Sequence, residues 1–245
     1  MEVLTDTHKQ TQHVEVWQMF DRIAQRYDLL NHILSLGQDM RWRKKVARFL
    51  TEKSDQYILD LATGTGDQLI CLLKSTNRIN RAIGTDLAKE MLNFGREKVQ
   101  KKQLEDRIVL EEGNAEQIRY EDETFDAVTI AFGIRNVKNV RKSISEMYRV
   151  LKPEGRVLVL EFSLPKSGIL RRIYLFYFRY ILPQIGAIIS KDGYAYRYLN
   201  ETVENFPYGD EFCKILIAEG FEKVSMHPLT FGIATIYYGD KTDSD

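Results

Sequence analysis

A chain of 245 residues with 35 basic and 35 acidic side chains, and so no formal net charge, has the size of one large α/β domain with additions. That balance excludes the strong basic excess on which a broad nucleic-acid footprint depends, so no nucleic-acid partner is expected. Cys71 and Cys213 lie far apart without C-x-x-C spacing, and His8, His13, His32 and His227 lack the spacing of a ligand set, so neither a disulfide framework nor a metal is expected.

Residues 1–13 are polar and lack the apolar core of a secretory signal. They read as a tail before a single domain over 14–245, in a reducing, cytoplasmic setting. From Val14 to Arg26 the apolar residues Val16, Met19, Phe20 and Ile23 recur at three- and four-residue intervals, the pattern of one buried helix face. Gly37 reads as a helix stop, and Met40 to Leu50 as a second, basic helix. Together residues 14–50 form a helical cap. Arg41 to Lys45 reads as a solvated helix face, with contact to an acidic lipid surface as the alternative.

The chain is organised around the next stretch. Tyr57-Ile58-Leu59-Asp60-Leu61 is an apolar strand that enters the loop Ala62-Thr63-Gly64-Thr65-Gly66-Asp67, followed by a helix from Gln68. Gly64 and Gly66 permit a sharp turn and close approach of a ligand, and the helix start beyond them offers free N–H groups and positive potential. Ala82 to Asp86 is a second strand whose terminal carboxylate stands about 20 residues beyond the loop, the place of a ribose-binding acid in a doubly wound sheet. The dinucleotide fingerprint would need a third glycine where Leu69 stands. A ligand with a ribose and no phosphates therefore fits better, and S-adenosylmethionine is the common ligand of that description.

Further along, Lys89 to Lys101 reads as a helix, Ile108 to Glu111 as a strand, Thr124 to Phe132 as a central strand, Ile144 to Val150 as part of a helix and Arg156 to Phe162 as another buried strand. This alternation predicts a mostly parallel, doubly wound α/β sheet. Ile169 to Ile189 is apolar and aromatic but broken by Arg171, Arg172, Arg179 and Pro183, so it is too interrupted for a membrane span. It reads either as a helix packed on the core through one face, Ile169, Ile173, Phe176, Tyr177 and Tyr180, or as a lid, over 169–200, that shelters a greasy substrate or touches a bilayer. Asp210 to Glu219 is an amphipathic helix ending at Gly220, and Lys223 to Met226 with Gly232 to Tyr238 form a late antiparallel pair.

With the glycine loop, Asp86 and Gly113-Asn114-Ala115-Glu116, the chain resembles the class I S-adenosylmethionine-dependent methyltransferases. More closely it resembles the ubiquinone/menaquinone biosynthesis C-methyltransferases. That resemblance is carried by Tyr27-Asp28-Leu29-Leu30-Asn31, Ser35-Leu36-Gly37, Phe132-Gly133-Ile134-Arg135-Asn136-Val137, Tyr148 to Arg156, Leu160-Glu161-Phe162-Ser163 and Tyr196-Arg197-Tyr198-Leu199, and it covers nearly the whole chain beyond the tail.

The resemblance implies a Rossmann-like fold and methyl transfer from S-adenosylmethionine to a ring carbon of a prenylated quinol. Both demethylmenaquinol and a methoxy-polyprenyl-benzoquinol fit as acceptors, and no oligomeric state is implied. Residue by residue, it puts Thr65 at the methionine end of the cofactor, Asp86 at the ribose, and Asn114 and Ala115 at the adenine edge, with Gly64 and Gly66 shaping the loop. Where relatives often carry Ser before Phe-Gly, this chain has Ala131, so a side-chain hydrogen bond is lost there. Arg135, three residues past a buried strand, is the candidate catalytic residue, either stabilising the quinolate or pairing structurally with Glu161. Peripheral membrane contact follows from the apolar run. A nicotinamide oxidoreductase, a non-catalytic cofactor-binding module and a methyltransferase for another small phenol are the competing classes.

Overall fold

All seven residues of Phe125–Ala131 are buried, which is what a strand covered on both faces requires. Around it the computed structural model, which describes residues 3–35, 37–181, 184 and 202–242, builds one seven-stranded sheet. The strands are β1 (Gln56–Leu61), β2 (Ile79–Asp86), β3 (Ile108–Glu112), β4 (Phe125–Ala131), β5 (Leu151–Phe162), β6 (Glu222–Leu229) and β7 (Ala234–Asp240), in the order β3-β2-β1-β4-β5-β7-β6. β1 to β5 pair in parallel, and β7 runs antiparallel between β5 and β6. The mostly parallel doubly wound sheet expected from the alternating pattern is thus what forms, and the order reverses between β1 and β4. A crevice opens at the carboxyl ends of strands at such a switch point.

Helices α1 (Val3–Leu34), α2 (Gln38–Val46), α3 (Asp67–Ser75), α4 (Lys89–Lys101), α5 (Val140–Val150), α6 (Gly168–Phe176) and α7 (Asp210–Ala218) flank the sheet. One apolar cluster joins Trp42 and Val46 of α2, Leu69 and Leu72 of α3 and Leu92 and Val99 of α4 to Ile58, Ala127, Leu158 and Ile236 on one face of the sheet. A second joins Ile144 and Met147 of α5 and Phe212 and Leu216 of α7 to Leu59, Val128, Val157 and Tyr237 on the other. Truncating a side chain as enclosed as Leu72, which has no exposed surface, costs about 2–5 kcal/mol.

Three local features differ from the sequence expectation. Helix α1 begins at Val3 and takes in the polar stretch that reads as a tail. Further along it docks on α4: Asp21 accepts the Glu90 amide at 2.9 Å and Asp28 receives Lys98 at 2.5 Å. Second, Lys152 to Gly155 does not separate α5 from a strand. β5 starts at Leu151, opposite Phe125, and its register jumps so that Ala127 faces Arg156, which leaves the turn as a bulge within the strand. Third, α6 and the π-helical turn Tyr177–Ile181 after it do not pack with the face carrying Ile169, Ile173, Phe176 and Tyr180, all of which are exposed. The packed side carries Phe178 and the partly buried Tyr174, Leu175 and Tyr177, set against Met19, Phe20 and Ile23 of α1 and against Phe162, Leu164, Val203 and Tyr208. Tyr177, grouped with the exposed face by its spacing, belongs to this packed side. The remainder of the lid read over 169–200, with its Tyr196-Arg197-Tyr198-Leu199 motif, lies outside the described residues apart from residue 184.

Candidate functional site

A cavity of about 590 Å³ lies at the switch point, within the size range of small-ligand sites. Its walls follow the strand ends in spatial order: Gly113, Asn114 and Ala115 beyond β3, Asp86 and Leu87 at β2, Ala62 and Gly64 after β1, and Ala131, Phe132 and Gly133 at β4. Helix α1 closes it from above with Val16, Trp17, Phe20 and Tyr27.

Both central strands end in strained backbone. Ala62 and Phe132 have positive φ, 47° and 60°, a conformation that side chains with a Cβ rarely adopt and that clusters at functional sites. Gly64 follows with φ 56°, and a Cβ there would sit 3.1 Å from Met91 Cε, a cavity-lining atom. Gly66, φ 76°, caps α3. The sharp turn expected at these two glycines is present.

Asp86 lines the cavity and also ties the loop. Its Oδ2 accepts the Gly64 amide at 2.8 Å and its Oδ1 the Ala88 amide at 2.9 Å. Each carboxylate oxygen keeps a further acceptor site. Burial pushes its carboxyl above the usual range, and the bonds from the Ala88 and Gly64 amides work against that rise. Asn114 forms an Asx turn by accepting the Glu116 amide at 2.9 Å, which fixes the wall that Ala115 and Glu116 complete. Ala131 presents only a methyl group. An adenosyl ligand fits these residues: the cavity is large enough, the half-buried Asp86 carboxylate suits a ribose diol, and the β3 side offers Gly113, Asn114 and Ala115 to a base.

Thr65 and Gly66 are not among the lining residues. The Thr65 hydroxyl donates to Asp28 at 2.6 Å and accepts from Lys98 at 2.9 Å, while Lys98 also reaches Asp67 at 2.7 Å. This cluster clamps α1 to the glycine loop. Asp60, buried at the end of β1, accepts from Thr129 at 2.5 Å and Thr63 at 2.7 Å. Burial pushes its pKa up to about 6 against those two bonds.

Arg135 and Glu161 are brought together on the far side of Phe132. Arg135 donates to Glu161 Oε1 at 2.6 Å and to the Phe132 carbonyl at 2.8 Å, and both charged side chains are buried. Glu161 Oε1 also accepts the Phe162 amide at 2.8 Å, while Glu161 Oε2 and Arg135 Nε have no hydrogen-bond partner. Burial pushes the Glu161 carboxyl upward against the nearby Arg135 charge. Arg135 lies over the Phe162 ring, 5.3 Å from its centre, and Phe162 in turn packs on the cavity-lining Phe132 at 4.6 Å. Arg135 therefore stands behind the aromatic wall and is not itself a lining residue of the described cavity.

Sequence reasoning missed the inner face of α1 as a cavity roof. Val16 and Phe20 showed only the periodicity of a buried face, which does not tell core from cavity. It also missed the Asp28–Lys98–Asp67 cluster, whose members are brought together only by the fold.

The model of the ubiE/COQ5 methyltransferase family matches residues 5–241 of this chain. The chain is 45% identical over 91% of its length to the ubiquinone/menaquinone biosynthesis C-methyltransferase UbiE of Geobacter sulfurreducens, covering 87% of that protein. It is likewise 45% identical over 91% of its length to the demethylmenaquinone methyltransferase of Thermus thermophilus, covering 100% of it. Among solved structures, an S-adenosylmethionine-dependent methyltransferase of Thermotoga maritima superposes with a TM-score of 0.65 at 17% identity, covering 92% of this chain and 99% of that one. At that identity the likeness speaks for the fold alone.

Proposed function

The chain belongs to the ubiE/COQ5 methyltransferase family, and on that basis we propose that its acceptor is a prenylated quinol, demethylmenaquinol in the first instance, which it converts to menaquinol. It is an S-adenosylmethionine-dependent C-methyltransferase. The observation that carries the site assignment is the cavity at the β1/β4 switch point, where Asp86 and the glycine loop are joined by one hydrogen bond. Asp86 holds the ribose, Asn114 and Ala115 border the adenine, and Gly64 gives the backbone room beside the ligand. Thr65 and Gly66 act from behind, by shaping the loop and anchoring it to α1.

When bound, S-adenosylmethionine supplies an electrophilic methyl group on a sulfonium. The protein must then present a ring carbon as nucleophile, which requires that a neighbouring ring hydroxyl, pKa about 10 in an ordinary phenol, give up its proton. The aromatic wall of Trp17, Phe20, Tyr27 and Phe132 suits a flat ring and keeps water away. Arg135 stays protonated under all ordinary conditions and, from behind Phe132, is therefore assigned to stabilising the quinolate oxygen by its charge rather than to taking its proton. Its partner Glu161 has one oxygen to spare, and the buried pair acts as a unit. A purely structural pairing is the competing reading.

The exposed stripe of Ile169, Ile173, Phe176 and Tyr180, 73%, 62%, 58% and 60% accessible, is flanked by exposed Lys166, Arg171 and Arg172 and contains no acid from residue 166 to 181. Such a face suits an anionic bilayer surface, where a polyprenyl acceptor resides. No helix among the described residues is long and apolar enough to cross a membrane, so this contact is peripheral. Mass spectrometry of quinones from cells lacking the protein tests the acceptor: a species lighter by one methyl group should accumulate, and an unchanged quinone profile would reject the assignment.

A further inference from the structure

Arg43 is a buried charge without an ion-pair partner among the described residues. It lies in α2, is only 6% exposed, and its Nε has no hydrogen-bond partner. Among the described residues no carboxylate stands within ion-pair distance of it and no acceptor takes a hydrogen bond from it. What it does meet is the face of Phe132, with its guanidinium carbon 5.2 Å from the ring centre. Asp60 feels the Arg43 charge without forming an ion pair with it, and its two oxygens accept from Thr63 and Thr129. A buried guanidinium is costly unless an anion accompanies it, so this arrangement is incomplete without a ligand.

The order of the strand ends indicates which anion that is. The cavity runs from β3 through β2 and β1 to β4. If Asp86 holds the ribose and Asn114 borders the base, as proposed above, the opposite end of an adenosyl amino acid lies toward β1 and β4. Arg43, not itself a lining residue, stands behind Phe132 at that end, and its field reaches Tyr27, which lines the cavity. Among the described lining residues the only cation is Lys138, beside Glu116 at the β3 end. We propose that Arg43 binds the α-carboxylate of the cofactor's amino-acid end, completing a site that the glycine loop and Asp86 leave without a counter-charge. The inference rests on the ribose assignment to Asp86 and adds a binding residue from the helical cap.

The test is calorimetric and needs no acceptor. S-adenosylhomocysteine carries the carboxylate, whereas 5′-methylthioadenosine keeps the adenosine and the sulfur and lacks the amino-acid group. Arg43→Met should weaken S-adenosylhomocysteine binding by at least about tenfold and methylthioadenosine binding little, and Arg43→Lys should recover part of the loss. The ligand-free Arg43→Met protein should melt at the wild-type temperature or above it, because the change removes an unpaired buried charge and keeps the apolar stem. A structural arginine would instead lower the melting temperature and weaken both ligands alike, which would overturn the proposal. Undiminished S-adenosylhomocysteine affinity together with a slower turnover would also overturn it, by assigning the charge to the acceptor's ionised hydroxyl. A wild-type protein that binds neither ligand would reject the cofactor site itself and this inference with it.

Discussion

The Asp86 carboxylate accepts the Gly64 amide at 2.8 Å, so the acid that ends β2 also holds the loop that leaves β1. On the proposed site, ligand binding and loop geometry are coupled through one side chain. Asp86→Ala removes the loop tie together with the proposed ribose acceptor. A hydrogen bond to a charged group contributes about 1.5–3 kcal/mol, so the affinity for S-adenosylhomocysteine should fall by at least tenfold in titration calorimetry. Unaltered affinity would detach Asp86 from the cofactor site.

Arg135 and Glu161 form a buried pair at 2.6 Å, and removing one partner of such a pair costs about 3–5 kcal/mol. Arg135→Gln alone should therefore lower the melting temperature as well as turnover. The informative variant is Arg135→Gln with Glu161→Gln, which removes the stranded charge. Stability should largely return in the double variant while kcat stays at least tenfold down, and the deficit should shrink as pH rises toward the phenol's pKa, about 10, where free quinolate becomes abundant. If kcat recovers along with the melting temperature, the pair is structural only.

Asp60 gives a pH signature. Its pKa is pushed up to about 6 by burial, against bonds from Thr129 and Thr63, so the folded chain holds that proton more tightly than the unfolded chain does. The resulting stability is fully present below the unfolded pKa, about 4, and is lost as pH rises through about 6. At neutral pH the ionised carboxylate costs about 3 kcal/mol, from roughly two pKa units at about 1.4 each. Asp60→Asn should raise the melting temperature near pH 8, and the gain should fade toward pH 4. Melting curves at the two pH values check this, and a gain that grows on acidification contradicts it.

The α6 stripe makes a separable prediction. Ile173→Glu with Phe176→Glu places two acids where apolar side chains are exposed, so co-sedimentation with anionic vesicles should be lost. Methylation of a short-tailed, water-soluble quinol should continue at the wild-type rate. Undiminished vesicle binding would remove this face from membrane contact.

The sheet was legible because each parallel strand is an apolar run bounded by turn residues, and β4 is the clearest case, expected over Thr124 to Phe132 and formed by Phe125–Ala131. The cavity-facing ends of β1, β2 and β3 were legible for the same reason: Gly64, Asp86, Asn114 and Ala115 lie at the ends of strands whose direction the alternation sets, and all four line the cavity. Thr65 was placed at the ligand by likeness, whereas its hydroxyl is taken by Asp28 and Lys98, a contact between residues 37 and 33 positions apart that no periodicity encodes. Helix α1 was cut short at Val14 because the polar residues before it carry no apolar periodicity from which a helix could be read. Arg43 sat within a basic run that reads as a solvated face. Helical periodicity gives the side of a helix, and only packing against Phe132 reveals that this one cation points inward.

Methyl transfer in a purified system tests the central claim most directly. The protein is incubated with S-adenosylmethionine carrying an isotopically labelled methyl group and with chemically reduced demethylmenaquinone, and the product is examined by mass spectrometry and NMR. The account predicts a product heavier by one labelled methyl, with the label on a ring carbon and both ring hydroxyls free. A label found on oxygen as a methyl ether, or no transfer by a protein that binds S-adenosylmethionine, would contradict it.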